Sequence, residues 1–209
     1  MGKLLGGLYG PLVGTTGNIT SYVLNGQNVT RMLRHKRTRT SEKQFNNEMR
    51  MKVINDFFYL MKPFLKAGFS NAARNSTKNY YNLAVSYNKR AALKGLYPNV
   101  EIDYPNVVLS DGDLLPAENP TVERTVAGLE FTWDTDGFGW GNGADQVMVL
   151  AYFPEAEQPV FFSYGAERMD GKELLPLHPP LLELPAHIYI SFVSPDRTSV
   201  ARSTYLGEV

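Results

Sequence analysis

The chain has 209 residues, 43% hydrophobic and 20% charged, a size and balance that fit one large or two small globular domains. It contains no cysteine, which excludes thiol catalysis, disulfides and thiolate metal sites. A formal net charge of zero conceals a split: residues 1–99 hold 16 Lys and Arg against three acids, and residues 100–209 hold five against 18.

The opening stretch, MGKLLGGLYGPLVG, is apolar but broken by glycines and Pro11, and no small-residue cleavage site follows it. It reads poorly as a signal peptide, and no run approaches the length of a membrane span. The expected location is cytoplasmic or particle-associated. The early glycines suggest a flexible or closely packed arm. ITSYVL (19–24) and QNVTRML (27–33) flank Asn25-Gly26, a pair suited to a two-residue hairpin turn because both residues tolerate positive φ. That turn sets Tyr22 opposite Val29 and Ile19 opposite Met32. An isolated hairpin is marginal in water, so this one must lie on something else.

RHKRTRTSEKQ (34–44) is the densest basic run and leads into a helix through a Ser41/Gln44 capping box. Phe45, Met49, Val53, Phe57 and Met61, joined by Ile54 and Leu60, mark one helical stripe. Pro63 should kink or end that helix, with a short turn closing at Gly68. A second main helix is expected over 76–94, with Tyr80, Leu83, Ala84, Tyr87 and Ala91 inward and Gly95 as its C-cap. From residue 100 the pattern changes to period two. Seven strand candidates follow: VEIDYPNVVLS, LEFTWD, DQVMVLAYF, PVFFSYG, KELLPL, HIYISFVS and STYLGEV. Leu129, Phe131 and Trp133 share a face, as do Ile188, Ile190 and Phe192. The expected fold class is α+β, with a basic hairpin-and-helices unit over 1–99 and an acidic antiparallel immunoglobulin/fibronectin-like β-sandwich over 100–209.

LEFTW, MVLAYF and HIYISFVSPDRTSVARSTYLG resemble the B, C and F–G strands of a fibronectin type III-like sandwich. Across nearly its whole length the chain also resembles an uncharacterised family abundant in Bacteroidota, one of the numbered domain-of-unknown-function groups. VGTTGNITSYVLNGQNVTR, RTRTSEKQ, FLKAGF, AVSYNKRAALKGLYPNVEIDYPNVVLSDGDL and YLGEV carry that resemblance. It departs at Leu24-Asn25-Gly26, where the family tends to show a tryptophan-glycine hairpin. The resemblance implies no activity and no cofactor.

Little in the chain looks like assembled chemistry. His35, His178 and His187 form no paired-ligand pattern, and there is no nucleophile elbow or Walker motif. GFGWGNG (137–143) leads into a strand, so it lacks the helix N-terminus a phosphate loop needs. The expectation is a protein that is not an enzyme and uses no cofactor. DTDGFGWGNGADQ (134–146) remains the most distinctive stretch. Read as a calcium loop it offers Asp134, Asp136 and Asp145, with Phe138 at a position that cannot ligate and no flanking helices. Read as a contact loop at the end of a sandwich it presents Phe138, Trp140 and Asn142. Arg31, Arg34, Lys36, Arg37 and Arg39 are candidate anion-binding residues, able to neutralise phosphates without reading sequence. The preferred reading is a structural or interaction protein that self-associates or joins a larger, virion- or tail-like assembly. The alternatives are nucleic-acid binding through the basic half, and carbohydrate or protein binding through the 134–146 loop.

Overall fold

The computed structural model describes residues 2–7, 10–24, 26–33, 41–74, 76–136 and 143–209. The chain divides into two compact units, Met1–Ser41 and Glu42–Val209. The boundary expected between residues 99 and 100 falls inside the second of these.

The first unit is an antiparallel meander of β1 (Lys3–Leu4), β2 (Leu12–Thr16), β3 (Ile19–Leu24) and β4 (Gln27–Met32), paired in that order. The glycine-rich arm is therefore partly strand. Tyr22 lies opposite Val29 and Ile19 opposite Met32, the register expected from the turn. Gly26 supplies the turn's positive φ, +78°, while Asn25 lies outside the described residues. Hydroxyl pairs tie neighbouring strands, Ser21 to Thr30 at 3.0 Å and Thr15 to Thr20 at 3.2 Å. Among the described residues of this unit only Ser21 is buried. Ile19, Val23, Leu24, Met32 and Leu33 are exposed, Met32 by 65%.

The second unit begins with three helices where two main ones were expected: α1 (Glu42–Tyr59), α2 (Lys62–Arg74) and α3 (Tyr80–Ala91). The buried face of α1 is Ile54, Phe57 and Phe58, continued by Met61. Of the expected stripe, Met49 and Val53 pack partly buried against the core, whereas Phe45 and Leu60 are exposed. The chain breaks before Pro63 as anticipated, but α2 runs straight through Gly68. A Cβ there would come within 2.4 Å of the Leu109 carbonyl oxygen, so glycine marks close packing of helix on backbone, not a helix end. Asn79 caps α3, its side chain accepting from the Asn82 N–H at 2.7 Å. The helix stops at Ala91 and passes into β5 (Leu93–Lys94), which pairs with β6 (Glu101–Ile102).

Of the strand candidate at residues 100–110, only Glu101–Ile102 is strand. Beyond β6 these residues form a short 3-10 turn at Tyr104–Asn106 and a buried irregular run over Val107, Val108, Leu109 and Ser110. Asn88 of α3 fixes that run: it accepts from the Val108 N–H and donates to the Val108 and Ala84 carbonyls, each at 2.8–2.9 Å. The remaining strands are β7 (Thr121–Arg124), β8 (Gly128–Thr132), β9 (Gln146–Phe153), β10 (Gln158–Phe162), β11 (Lys172–Pro176), β12 (His187–Val193) and β13 (Thr204–Glu208). They make two antiparallel sheets, β11-β8-β7 and β10-β9-β12-β13.

Two cores share the four-stranded sheet. On one face Val147, Val149, Ala151 and Phe153 of β9 and Ile188, Ile190 and Phe192 of β12 meet Leu129, Phe131 and Trp133 from β8 and its end. On the other face Met148, Leu150 and Tyr189 meet Ile54, Phe58, Phe64, Leu65 and Phe69 of the helices. Strands buried on both sides read as continuous apolar runs instead of alternating ones. That explains why QVMVLAYF and HIYISFV are apolar almost throughout. The fold is α+β, and among the described residues no helix is long and apolar enough to cross a membrane.

Candidate functional site

The 134–146 loop stands on a tightly bonded base. At its near end the Trp133 N–H donates to the Gly171 carbonyl at 3.0 Å and the Asp134 N–H to Glu118 O at 3.0 Å. At its far end Met169 N–H donates to Gly143 O at 3.1 Å and Arg168 N–H to Asp145 O at 2.7 Å. Arg168 is the hub. Its guanidinium donates to the Leu115 and Pro116 carbonyls at 2.7 and 3.0 Å, and Nε lies 3.4 Å from Asp145 Oδ2. The same group sits 3.7 Å from the centroid of Phe192, and Trp133 Nε1 donates to the Arg168 carbonyl at 2.8 Å. Burial pulls Arg168 below the ordinary arginine value and pushes the Asp145 carboxyl up, while their mutual attraction opposes both shifts. Arginine keeps its charge in proteins, so Arg168 supplies the cation of this buried contact.

This geometry places the candidate ligands of the loop apart in role. Asp145 is buried in the ion pair, Asp134 accepts from Asn119 Nδ2 at 2.7 Å, and Asp136 is exposed. Among the described residues no group of three or more His, Asp or Glu side chains could hold a metal ion. Phe138, Trp140 and Asn142 lie outside the described residues. Of the basic candidates, Arg31 is exposed on β4 with its guanidinium 5.6 Å from the Tyr22 ring centroid. Arg34, Lys36, Arg37 and Arg39 lie outside the described residues. His187, given no role from sequence, stacks on Tyr104 at 3.7 Å and shares a 2.9 Å hydrogen bond with the Tyr205 hydroxyl through Nδ1. Burial holds its pKa below the ordinary imidazole value, with Glu208 opposing.

Sequence reasoning missed a second place altogether. Phe57 and Leu60 at the end of α1, Ile102 of β6 and Tyr152 of β9 line an open cleft of about 410 Å³, flanked by Asp56 and Glu157. Phe57 meets Tyr152 edge-on at 4.8 Å, and Tyr104 lies 5.9 Å from Tyr152, extending the aromatic floor. Carboxylates ring this floor. Burial first, then Tyr152, Glu101 and Glu208, pushes the Tyr104 hydroxyl up to about 12, and Glu157 adds to the rise at Tyr152. Beside this floor Lys94 and Glu101, both exposed, form an ion pair at 3.8 Å. The cleft's lining comes from three separate stretches of chain, so no local motif announces it.

No curated protein and no solved structure matches the chain. A family model does, over residues 9–207, and by that match the chain belongs to the family of unknown function DUF6266.

Proposed function

We infer that this chain is a non-enzymatic structural or interaction protein that self-associates, its N-terminal sheet being covered by a second copy. The observation carrying this reading is the near absence of buried side chains in Met1–Ser41, where Ser21 alone is buried among the described residues. A sheet without a packed face has little to offset the entropy of ordering it, and its exposed apolar residues favour a partner. Along β4 the outer edge of that sheet pairs with nothing among the described residues, an invitation to strand addition.

Charge favours a second copy as that partner. Residues 1–41 carry six Lys and Arg and no acid, whereas residues 100–209 carry 18 acids against five cations. Such complementarity steers and orients association, while the exposed apolar residues of the sheet supply most of the affinity. A head-to-tail contact of this kind is heterologous and closes into a ring or continues as a filament, which suits a component of a larger, virion- or tail-like assembly. Residues 121–208 read best as a fibronectin type III-like sandwich serving as the body of each copy; the strand orders β11-β8-β7 and β10-β9-β12-β13 and their common apolar core support that.

Light scattering on the full chain at low and at high salt tests the reading: a mass above that of the monomer, falling as salt rises, is expected. A monomer at every concentration and salt would refute it. A second reading, binding of a polyanion such as nucleic acid, is favoured by the exposed Lys43, Lys52, Lys66, Lys78 and Arg90 on or beside the helices. It expects salt-sensitive retention on a polyanion column, and passage without retention at low salt removes it.

A further inference from the structure

The cleft beside α1 has a chemistry that the assembly reading leaves unspecified. Its floor is aromatic and apolar, Phe57, Tyr152, Leu60 and Ile102, and its two flanking side chains are carboxylates, Asp56 and Glu157. Both carboxylates are exposed, and neither makes an ion pair or hydrogen bond among the described residues, Lys52 one turn before Asp56 included. Aromatic rings attract a cation through their negative faces, and carboxylates at the rim hold the same charge. An anion would meet repulsion from Glu101, Glu157 and Glu208, which already act on the neighbouring tyrosines. A neutral apolar segment would leave Asp56 and Glu157 without a counter-charge.

The chain itself contains a match. Arg31 begins a stretch, RMLRHKRTR (31–39), with five Lys or Arg and no acid, and it belongs to the unit with almost no core. We propose that the α1 cleft is the receptor for this basic stretch of a second copy, taking one arginine or lysine side chain over Tyr152 and Phe57 between Asp56 and Glu157. This inference rests on the self-association reading and assigns it a surface: the acidic contact lies at the junction of helix and sheet, not on the outer face of β11-β8-β7, where Glu123 and Glu130 stand opposite each other.

A fluorescent peptide of residues 31–40, RMLRHKRTRT, titrated into the full chain at low salt tests it by anisotropy. Binding is expected to weaken about tenfold or more in the Asp56→Asn/Glu157→Gln variant, and less than about twofold in Glu123→Gln/Glu130→Gln, which removes the same charge elsewhere. All four side chains are exposed or at the surface, so both variants should melt as the parent does. A peptide with its five cations replaced by glutamine should not bind. Equal weakening in the two variants, undiminished binding of the neutral peptide, or no binding to the parent each overturns the proposal. The two readings fail separately. A chain that stays monomeric yet binds the peptide through Asp56 and Glu157 keeps the cleft and loses the assembly. A chain whose association is unchanged in Asp56→Asn/Glu157→Gln keeps the assembly and loses the cleft.

Discussion

Two antiparallel sheets in this chain have opposite fates. The four strands of Met1–Ser41 bury one side chain among the described residues, whereas β9 and β12 of the second unit are apolar on both faces and buried on both. Strand pairing is common to both, so pairing alone does not bury a sheet's side chains. What differs is a layer on each side: β11-β8-β7 over one face of the second unit's sheet and the helices over the other. The N-terminal sheet has a defined register and hydroxyl pairs between its strands but, among the described residues, no layer of its own unit packed on it, and that contrast is why a second copy is invoked for it.

The comparison can be broken most strongly in the cores. Phe131→Ala and Phe58→Ala, one from each side of the four-stranded sheet, should each cost about 3–5 kcal/mol in denaturant unfolding. Equal losses would show that both layers stabilise the sheet; a small loss at Phe58 would mean the helices are dispensable to it. Next is Arg168→Met, which leaves the Asp145 carboxylate buried and without its partner, at a cost of about 3 kcal/mol. Adding Asp145→Asn should recover part of that loss, whereas a double variant no better than the single would place the cost in the lost bonds to Leu115 and Pro116. Asn88→Ala removes both the acceptor for Val108 N–H and the donor to its carbonyl, for about 1–3 kcal/mol.

A gentler lever is pH. His187 has a folded pKa below its unfolded value, so the unfolded chain takes up the proton first. The stability owed to the neutral ring is complete above about pH 6.5 and declines as pH falls toward the lowered folded value. Melting temperature measured from pH 8 to 5 should fall in the parent and fall less in His187→Gln. The smallest effect belongs to the other sheet. Tyr22→Ala should change unfolding of Glu42–Val209 by no more than about 0.5 kcal/mol, as expected for a residue outside its core.

Local patterns were readable where one principle acts alone. The 25–26 turn sets its register by twist, and Tyr22 indeed faces Val29. Leu129, Phe131 and Trp133 share a buried face as period two requires. Patterns failed where a partner element decides. Phe58 is buried although it lies off the expected stripe, and Leu60 on that stripe is exposed, because the elements packed around α1 decide which side chains are covered. TVER went unread as a strand because β7 is a sheet edge with one apolar residue, Val122, while VEIDYPNVVLS looked like a strand but is strand only at Glu101–Ile102, its Val108 backbone bonding to the Asn88 side chain instead of a neighbouring strand. Gly68 looked like a stop and is a contact. The loop at 134–146 was visible at once, but its base depends on Arg168, which is far away in sequence and reads there as one more surface charge. The α1 cleft was illegible for a similar reason, since Asp56, Ile102, Tyr152 and Glu157 converge only in the folded chain.

Amide hydrogen exchange, read strand by strand across a range of protein concentrations at low salt, tests the central claim most directly. If a second copy covers the N-terminal sheet, protection of Ile19–Leu24 and Gln27–Met32 rises with concentration while that of Gln146–Phe153 and His187–Val193 stays constant. Protection of the N-terminal strands that is the same at every concentration would contradict the account.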